Sequence, residues 1–408
     1  MSGRAAFGYR NFRYYMTARV LVTAASEMQA VAVGWQIYAL THRALDLGLV
    51  GLAQFLPGML LFLVSGQTAD RYPRQRILQC CYLSFAGISA LLLALSLRGP
   101  TSVWPVYGAL VLNGMVRAFN APASQAFLPL VVPPDVFPNA VALGSGVFQG
   151  SMIAGPMIGG AIYGFTGSAS PVYAASAVTC LCAAVMMARI RVAAVQRARI
   201  VMKAAVLLEG MRYLWRAKLT LGAMSLDMFA VLLGGAVALL PVYAKDILGV
   251  GAEGLGLLRG APGTGAVITA LVLAHRPLTK HAGAIMLWCV GGFGALTVVF
   301  GLSRNLLLSV VVLVAMGACD MVSVVVRHTL VQLNTPDEMR GRVSAVNSMF
   351  IGASNEVGQF ESGLTAAWFG AVPAVVIGGV GTILIVGLWS RLFPELRKVN
   401  HLQPARHG

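Results

Sequence analysis

Residues 48–76 read GLVGLAQFLPGMLLFLVSGQTADRYPRQR. Residues 48–66 carry no ionisable side chain, whereas 67–76 carry Asp70, Arg71, Arg74 and Arg76. At about 1.5 Å per residue the apolar part makes a helix of about 28 Å, close to the roughly 30 Å of a bilayer's hydrocarbon core. The basic turn behind it has to stop at one membrane face. The same alternation of apolar run and short polar turn fills the rest of the chain. The 408 residues are 58% hydrophobic and only 11% charged, and the mean hydropathy is +0.77, far from the composition of a soluble domain. Spans are expected near 14–40, 45–69, 77–97, 103–127, 139–166, 170–190, 219–244, 252–274, 282–302, 305–331, 343–369 and 372–392. Short segments of alternating polarity would mark a transmembrane β-barrel, and the runs do not have that form. The expectation is an all-α integral membrane protein of about twelve transmembrane helices.

The formal net charge of +16 invites a nucleic-acid reading, but the placement of the charge answers it. Of 30 Lys and Arg, 22 fall in segments on the N-terminal side of the membrane. Four (Arg43, Arg98, Lys245, Arg304) fall opposite, and four (Arg19, Arg117, Arg259, Arg327) lie inside spans. Lys and Arg collect on the cytoplasmic side. Both termini are therefore expected in the cytoplasm of a bacterial-type inner membrane, and nucleic acid is not needed as a partner. The basic start MSGRAAFGYRNFRYY runs into an apolar segment without a small-residue cleavage site, so no cleavable signal is expected. The six cysteines all lie in spans, and Cys180-x-Cys182 has no His or carboxylate beside it. Small buried apolar residues are expected there, not metal ligands.

Two alignments reveal an internal repeat. DLGLVGLAQFLPG (46–58) and GAEGLGLLRGAPG (251–263) match at an offset of 205, setting Gly51, Pro57 and Gly58 against Gly256, Pro262 and Gly263. VVPPDVFPNAVALGSGVFQG (131–150) and LNTPDEMRGRVSAVNSMFIG (333–352) match at 202, setting Pro134, Asp135, Phe148 and Gly150 against Pro336, Asp337, Phe350 and Gly352. The expected organisation is two pseudo-symmetric six-helix bundles, residues 1–190 and 219–408, joined by a basic linker, 191–218. Parallel repeats of this kind hold substrate between them near the midplane. In the linker, Val201, Ala204, Ala205, Leu208, Met211 and Leu214 recur at helical spacing. An amphipathic connector helix on the inner membrane face is expected.

GQTADRYPRQR (66–76) resembles the loop signature G-x-L-A-D-R-x-G-R-R/K of the major facilitator superfamily, with Thr68 and Pro73 as departures. The resemblance implies the twelve-helix fold, alternating access, and a gating loop of Gly66, Asp70, Arg71 and Arg74 that latches the cytoplasmic side. Gly66 is expected to let helices approach closely, and Asp70 to meet Arg71 and a neighbouring helix N-terminus. LNGMVRAFNAPASQAFLP (112–129) and Pro138-Asn139-Ala140 resemble the branch of that superfamily that includes enterobactin and macrolide exporters. Arg117, Pro122, Ala123 and Gln125 carry the match. GSMIAGPMIGG (150–160) resembles the G-P-x-x-G-G motif of drug and metabolite exporters, with Gly155, Pro156, Gly159 and Gly160 as its hinge residues. That resemblance implies export; generic small-residue packing is the other reading.

SMFIGASNEVGQFESG (348–363) places Glu356 and Glu361 inside a span. Ionisable residues at that depth face protein or water and mark functional paths. Glu356 shares a helical stripe with Gln359, while Glu361 lies about 140° away around the helix. Glu356 and Gln359 are expected to face the central cavity, with Glu361 at a neighbouring helix or the rim. Two readings stand for the carboxylates: proton or substrate coupling, or pairing with an intramembrane arginine such as Arg327. Glu27, followed by Gln29, Trp35 and Gln36, can line the cavity as well. Asp320 and Arg327 sit two turns apart on one face, as an ion pair or as binding groups. The candidate coupling or substrate residues are therefore Glu356, Gln359, Glu361, Glu27, Arg117, Asp320 and Arg327. No G-x-x-x-x-G-K-[ST] loop supplies an ATP site, and six scattered histidines do not make an enzyme centre. The reading is a monomeric, cofactor-free exporter of an amphipathic small molecule such as a siderophore or drug, driven by the proton gradient. The alternative is an importer of a nutrient or iron chelate on the same fold.

Overall fold

Apolar runs that satisfy every backbone group internally become long helices, and the computed structural model is built of them. It describes residues 5–99, 102–191, 204–276 and 280–399; among these there is no strand. The first set comprises α1 (Arg10–Thr41), α2 (Ala44–Arg71), α3 (Arg74–Leu97), α4 (Trp104–Phe127), α5 (Phe137–Thr166) and α6 (Ser170–Ala188). The linker helix α7 (Ala204–Arg216) follows. The second set comprises α8 (Lys218–Leu233), the short α9 (Leu240–Val242), α10 (Gly251–His275), α11 (Ala282–Leu302), α12 (Leu306–Leu333), α13 (Asp337–Phe369) and α14 (Ala371–Leu392), with α15 (Pro394–Lys398) after it. Prolines open α4 and α6, where a missing N–H costs nothing. Gly167 ends α5 in the left-handed region (φ 65°) and donates its N–H to Tyr163 O, a cap that suits glycine.

Among the described residues nine helices are long and apolar enough to cross a membrane. The other three long helices are α1, α4 and α13, which carry Glu27, Arg117, Glu356 and Glu361. Large apolar side chains such as Leu60, Trp104, Trp288, Leu307 and Leu384 are exposed, as a lipid-facing surface requires. The two sets pair alike. In the first, α3 packs on α4 and α6, and α1 on α5 and α6; in the second, α11 packs on α12 and α14, and α8 on α13 and α14. The first core closes on Phe12, Tyr15, Tyr82, Phe127 and Tyr173. The second closes on Leu226, Met286, Val290, Val326, Leu330 and Trp389.

The chain forms two compact units. One contains Met1–His42, Ala53–Met202 and Gly251–Gly260; the other contains Arg43–Leu52, Lys203–Val250 and Ala261–Gly408. The first turns of α10 thus belong with α5, and the first turns of α2 with α13. Missing side chains are the reason. A methyl on Gly160 would lie 2.8 Å from Gly256 Cα, and one on Gly363 would lie 2.7 Å from Gly48 Cα.

Three local expectations need correction. The seventh span is broken: α8 stops at Leu233, and α9 resumes after Gly234–Gly235 and a 3-10 turn, before a π-helical turn at Tyr243–Ile247. A methyl on Gly235 would lie 2.9 Å from Gly358 O and Ser362 Oγ, so α13 occupies the space beside the break. The linker helix does not rest its described apolar face on lipid. Leu214 is fully buried with Met224, Val331, Val343 and Val346; Val201 lies outside the described residues. Cys80 and Cys182 are exposed while Cys81 and Cys180 are buried, because helix positions one apart point about 100° apart and positions two apart about 160° apart.

Candidate functional site

The basic turn between α2 and α3 is pinned from below. Arg74 Nη1 donates to Ala126 O (3.0 Å), and Gln75 Nε2 donates to Met187 O and Ile190 O. Arg71 is exposed. Pro73 takes φ −58° and ψ 118° as the N-cap of α3, an angle the proline ring has by construction, so its departure from the loop signature fits the turn. Gly66 is a correction: a methyl there would meet nothing within 4 Å, so it does not mediate close approach in this arrangement. The side chain of Asp70 lies outside the described residues. Asn139, from the matched loop, accepts from the Ala6 N–H (3.1 Å) and ties the start of the chain to α5.

The G-P-x-x-G-G stretch sits where α5 meets two helices, and α5 runs through Pro156 without a break. A methyl on Gly155 would lie 2.6 Å from Glu27 Cβ, and one on Gly159 would lie 2.7 Å from Met28 Cα. On the α10 side, a methyl on Gly256 would lie 2.7 Å from Pro156 O. This packing brings half-buried Glu27 into a charged group. Arg259 and then Arg117 are the cations that act on it. Arg259 Nη1 donates to Ala30 O (3.1 Å), and Arg117 Nη1 donates to Gln54 Oε1 (3.0 Å). Gln29 and Gln36 do not line a site as expected. Gln29 accepts from Ser89 Oγ (2.7 Å) and Gln36 from Tyr173 OH (2.6 Å), both inside the core.

Glu356 and Gln359 share a face of α13, with Gln359 Nε2 3.4 Å from Glu356 Oε2. Gly51 of α2 packs here: a methyl on it would lie 3.1 Å from Gln359 Cβ. Glu361 Oε1 accepts from Thr365 Oγ1 (2.8 Å) on its own helix. Arg327 serves neither glutamate. Its Nη2 lies 3.2 Å from Asp227 Oδ2 of α8, and its Nη1 donates to Asn347 Oδ1 (2.8 Å). Of the two readings for Asp320 and Arg327, the ion pair is therefore corrected to Asp227–Arg327. Both partners are buried, and Asp320 is left beside them.

The structure thus groups Glu27 with Arg117, and Asp320 with Arg327; Glu356 and Gln359 lie together at the start of α2. Sequence reasoning left Asp227, Asn347, Gln54 and Arg259 off the candidate site. Asp227 was the one recoverable: a lone acid in an apolar span requires a counter-charge, and α12 offers one.

The family profile described as transmembrane secretion effector matches residues 1–407. The enterobactin exporter EntS of Citrobacter koseri is 26% identical over 406 residues, covering 97% of this chain and 95% of that protein. The enterobactin exporter EntS of Escherichia coli O1:K1 / APEC is 27% identical over 402 residues, covering 96% and 94%. Among solved structures, a bacterial homolog of the human lysosomal transporter Spinster superposes with a TM-score of 0.73 at 13% identity, covering 95% of this chain and 98% of that one. A D-xylose–proton symporter superposes at 0.68 with 14% identity, covering 95% and 98%. At such identities these two structures speak for the fold alone.

Proposed function

We propose, because this chain belongs to the transmembrane secretion effector family of the major facilitator superfamily, that it exports an amphipathic, acidic small molecule of the siderophore class. Membership makes it a multi-pass membrane transporter of a small molecule and not an enzyme. The observation that carries the substrate class is the pair of span-borne arginines, Arg117 and Arg259, flanking Glu27. Arginine presents a planar fork of donors suited to oxyanions and to catecholate or carboxylate oxygens. A cation at that depth is costly unless it faces protein or water; Arg117 bonds Gln54 and Arg259 bonds Ala30, and both act on Glu27. The enterobactin exporters among the relatives support the same class. The inward proton gradient supplies the energy, the acids within the spans carry the protons, and the two bundles give alternating access. The transporter works as a monomer in the inner membrane with both termini in the cytoplasm.

Enterobactin is the first probe. Cells that make it but lack their own exporter should release it when this chain is expressed, and release should stop when a protonophore collapses the gradient. Arg117→Gln should abolish release while leaving the amount of protein in the membrane unchanged. Accumulation of the probe inside the cells in place of release would overturn export.

A further inference from the structure

The charges facing one another on α8 and α12 do not balance. Asp227 and half-buried Asp320 line one small cavity, with Ser323, and among the described residues Arg327 is the one buried arginine. Arg327 is committed to Asp227 and Asn347. Among the described residues no hydrogen bond or salt bridge reaches the Asp320 carboxylate. The cavity is about 10 Å³, room for about one water and for no organic substrate. Two polar atoms here have no partner among the described residues: Ser323 Oγ, on a side chain 2% exposed, and Arg327 Nε. Ser323 faces the cavity, where an exchangeable proton carried on a carboxyl or a water would find it.

The comparison with the first set sharpens the point. There α1 and α4, the helices in the places of α8 and α12, carry Glu27 and Arg117, one acid and one arginine that act on each other, while neutral pairs, Gln29 with Ser89 and Gln36 with Tyr173, join α1 to α3 and α6. The other titratable groups near Asp320 are few. Cys289 of α11 faces Cys319 of α12, and His328 of α12 is exposed. The partner α10 meets α12 through Pro262 and Gly265, and α13 through Asn347.

We propose that Asp320 is a proton-binding site inside this unit, with the Asp227–Arg327 pair as its fixed counter-charge. One proton adds to a carboxylate oxygen of Asp320, cancels the uncompensated charge, and later leaves from the same oxygen to water. The role of that proton in transport rests on the exporter reading; its binding does not. Substrate and proton then occupy different places, and the cavity volume keeps the proton site closed to substrate.

The test uses the full-length protein in liposomes and needs no substrate for its first arm. Infrared difference spectra are recorded while pH is stepped through neutrality. The expected result is a protonated-carboxyl band that titrates in the wild type, is lost in Asp320→Asn, and survives in Glu356→Gln. A wild-type band that Asp320→Asn leaves in place overturns the proposal, as does a band that sodium ions abolish at constant pH. In the second arm the same liposomes are loaded with enterobactin. Asp320→Asn should keep exchange without a gradient and lose all gradient-driven accumulation, whereas an unaltered response overturns the coupling role. A wild type indifferent to the gradient would defeat the exporter reading and leave the infrared result standing. Asp320→Glu should restore both the band and the driven accumulation.

Discussion

Arg327 is the side chain on which the most depends. Asp227 and Asn347 both turn to it within the second unit, and it is 3% exposed. Removing one partner of a buried pair leaves the other without compensation, which costs about 3–5 kcal/mol. Arg327→Ala is therefore expected to lower the unfolding temperature of the purified transporter sharply. Arg327→Ala with Asp227→Ala should cost clearly less than the sum of the two single changes, because the second removes the stranded charge. The surface pair Arg342–Glu209 is the control. Its side chains are 39% and 52% exposed, and its coupling in the same kind of cycle should stay within about 0.2–1 kcal/mol. Helical spacing correctly set Asp320 and Arg327 on one face of α12, yet the partner came from α8. A period of 3.6 says which residues share a face; it does not say which helix lies opposite. That is why the ion pair was visible in kind but wrong in membership.

Glycines separate what a helix needs from what a loop signature suggests. Gly159 packs α5 against the backbone of Met28, and Gly66 borders open space. Gly159→Ala forces α5 away from α1 or strains both, and overpacking of this kind costs about 1–3 kcal/mol. Gly66→Ala adds a methyl to a helix interior with nothing to hit, which should be neutral or stabilising by up to about 1 kcal/mol. Thermal unfolding of the two variants side by side checks the order. If Gly66→Ala keeps its stability but slows export in the same cells, the glycine serves another state of the cycle. The tight run Gly155–Gly160 could be read from sequence because two glycines follow a proline at fixed spacing. The break at Gly234–Gly235 could not, since paired glycines in an apolar run mark close packing as readily as an interruption. The linker teaches the same lesson. Its apolar spacing announced a helix, and α7 is one, but a stripe of leucine and methionine does not say whether lipid or protein will cover it. Here Leu214 sits among Met224, Val331, Val343 and Val346. Leu214→Ala should cost about 2–5 kcal/mol and expose the α7 segment to limited proteolysis.

For the whole chain, hydropathy and the two repeat alignments carried the architecture, because a bilayer leaves a helix few alternatives. The spans with least hydropathy, α1, α4 and α13, hold Glu27, Arg117, Glu356 and Glu361, whereas Asp227, Asp320 and Arg327 sit in the strongly apolar α8 and α12. The expected orientation rests on different physics, the 22-to-4 imbalance of Lys and Arg between the segments assigned to the two sides. A phosphatase that is active only outside the cytoplasm should be inactive when fused after α15, and active when inserted beside Arg98 between α3 and α4. The reverse pattern would invert every inside and outside assignment made from charge. Replacing Arg71, Arg74 and Arg76 together by Gln should not flip the chain, because nineteen Lys and Arg would still hold that side against four. Arg74 alone also bonds the end of α4. The triple change should therefore lower stability while the phosphatase pattern stays fixed, which separates the turn's role as a clasp from its share in setting topology.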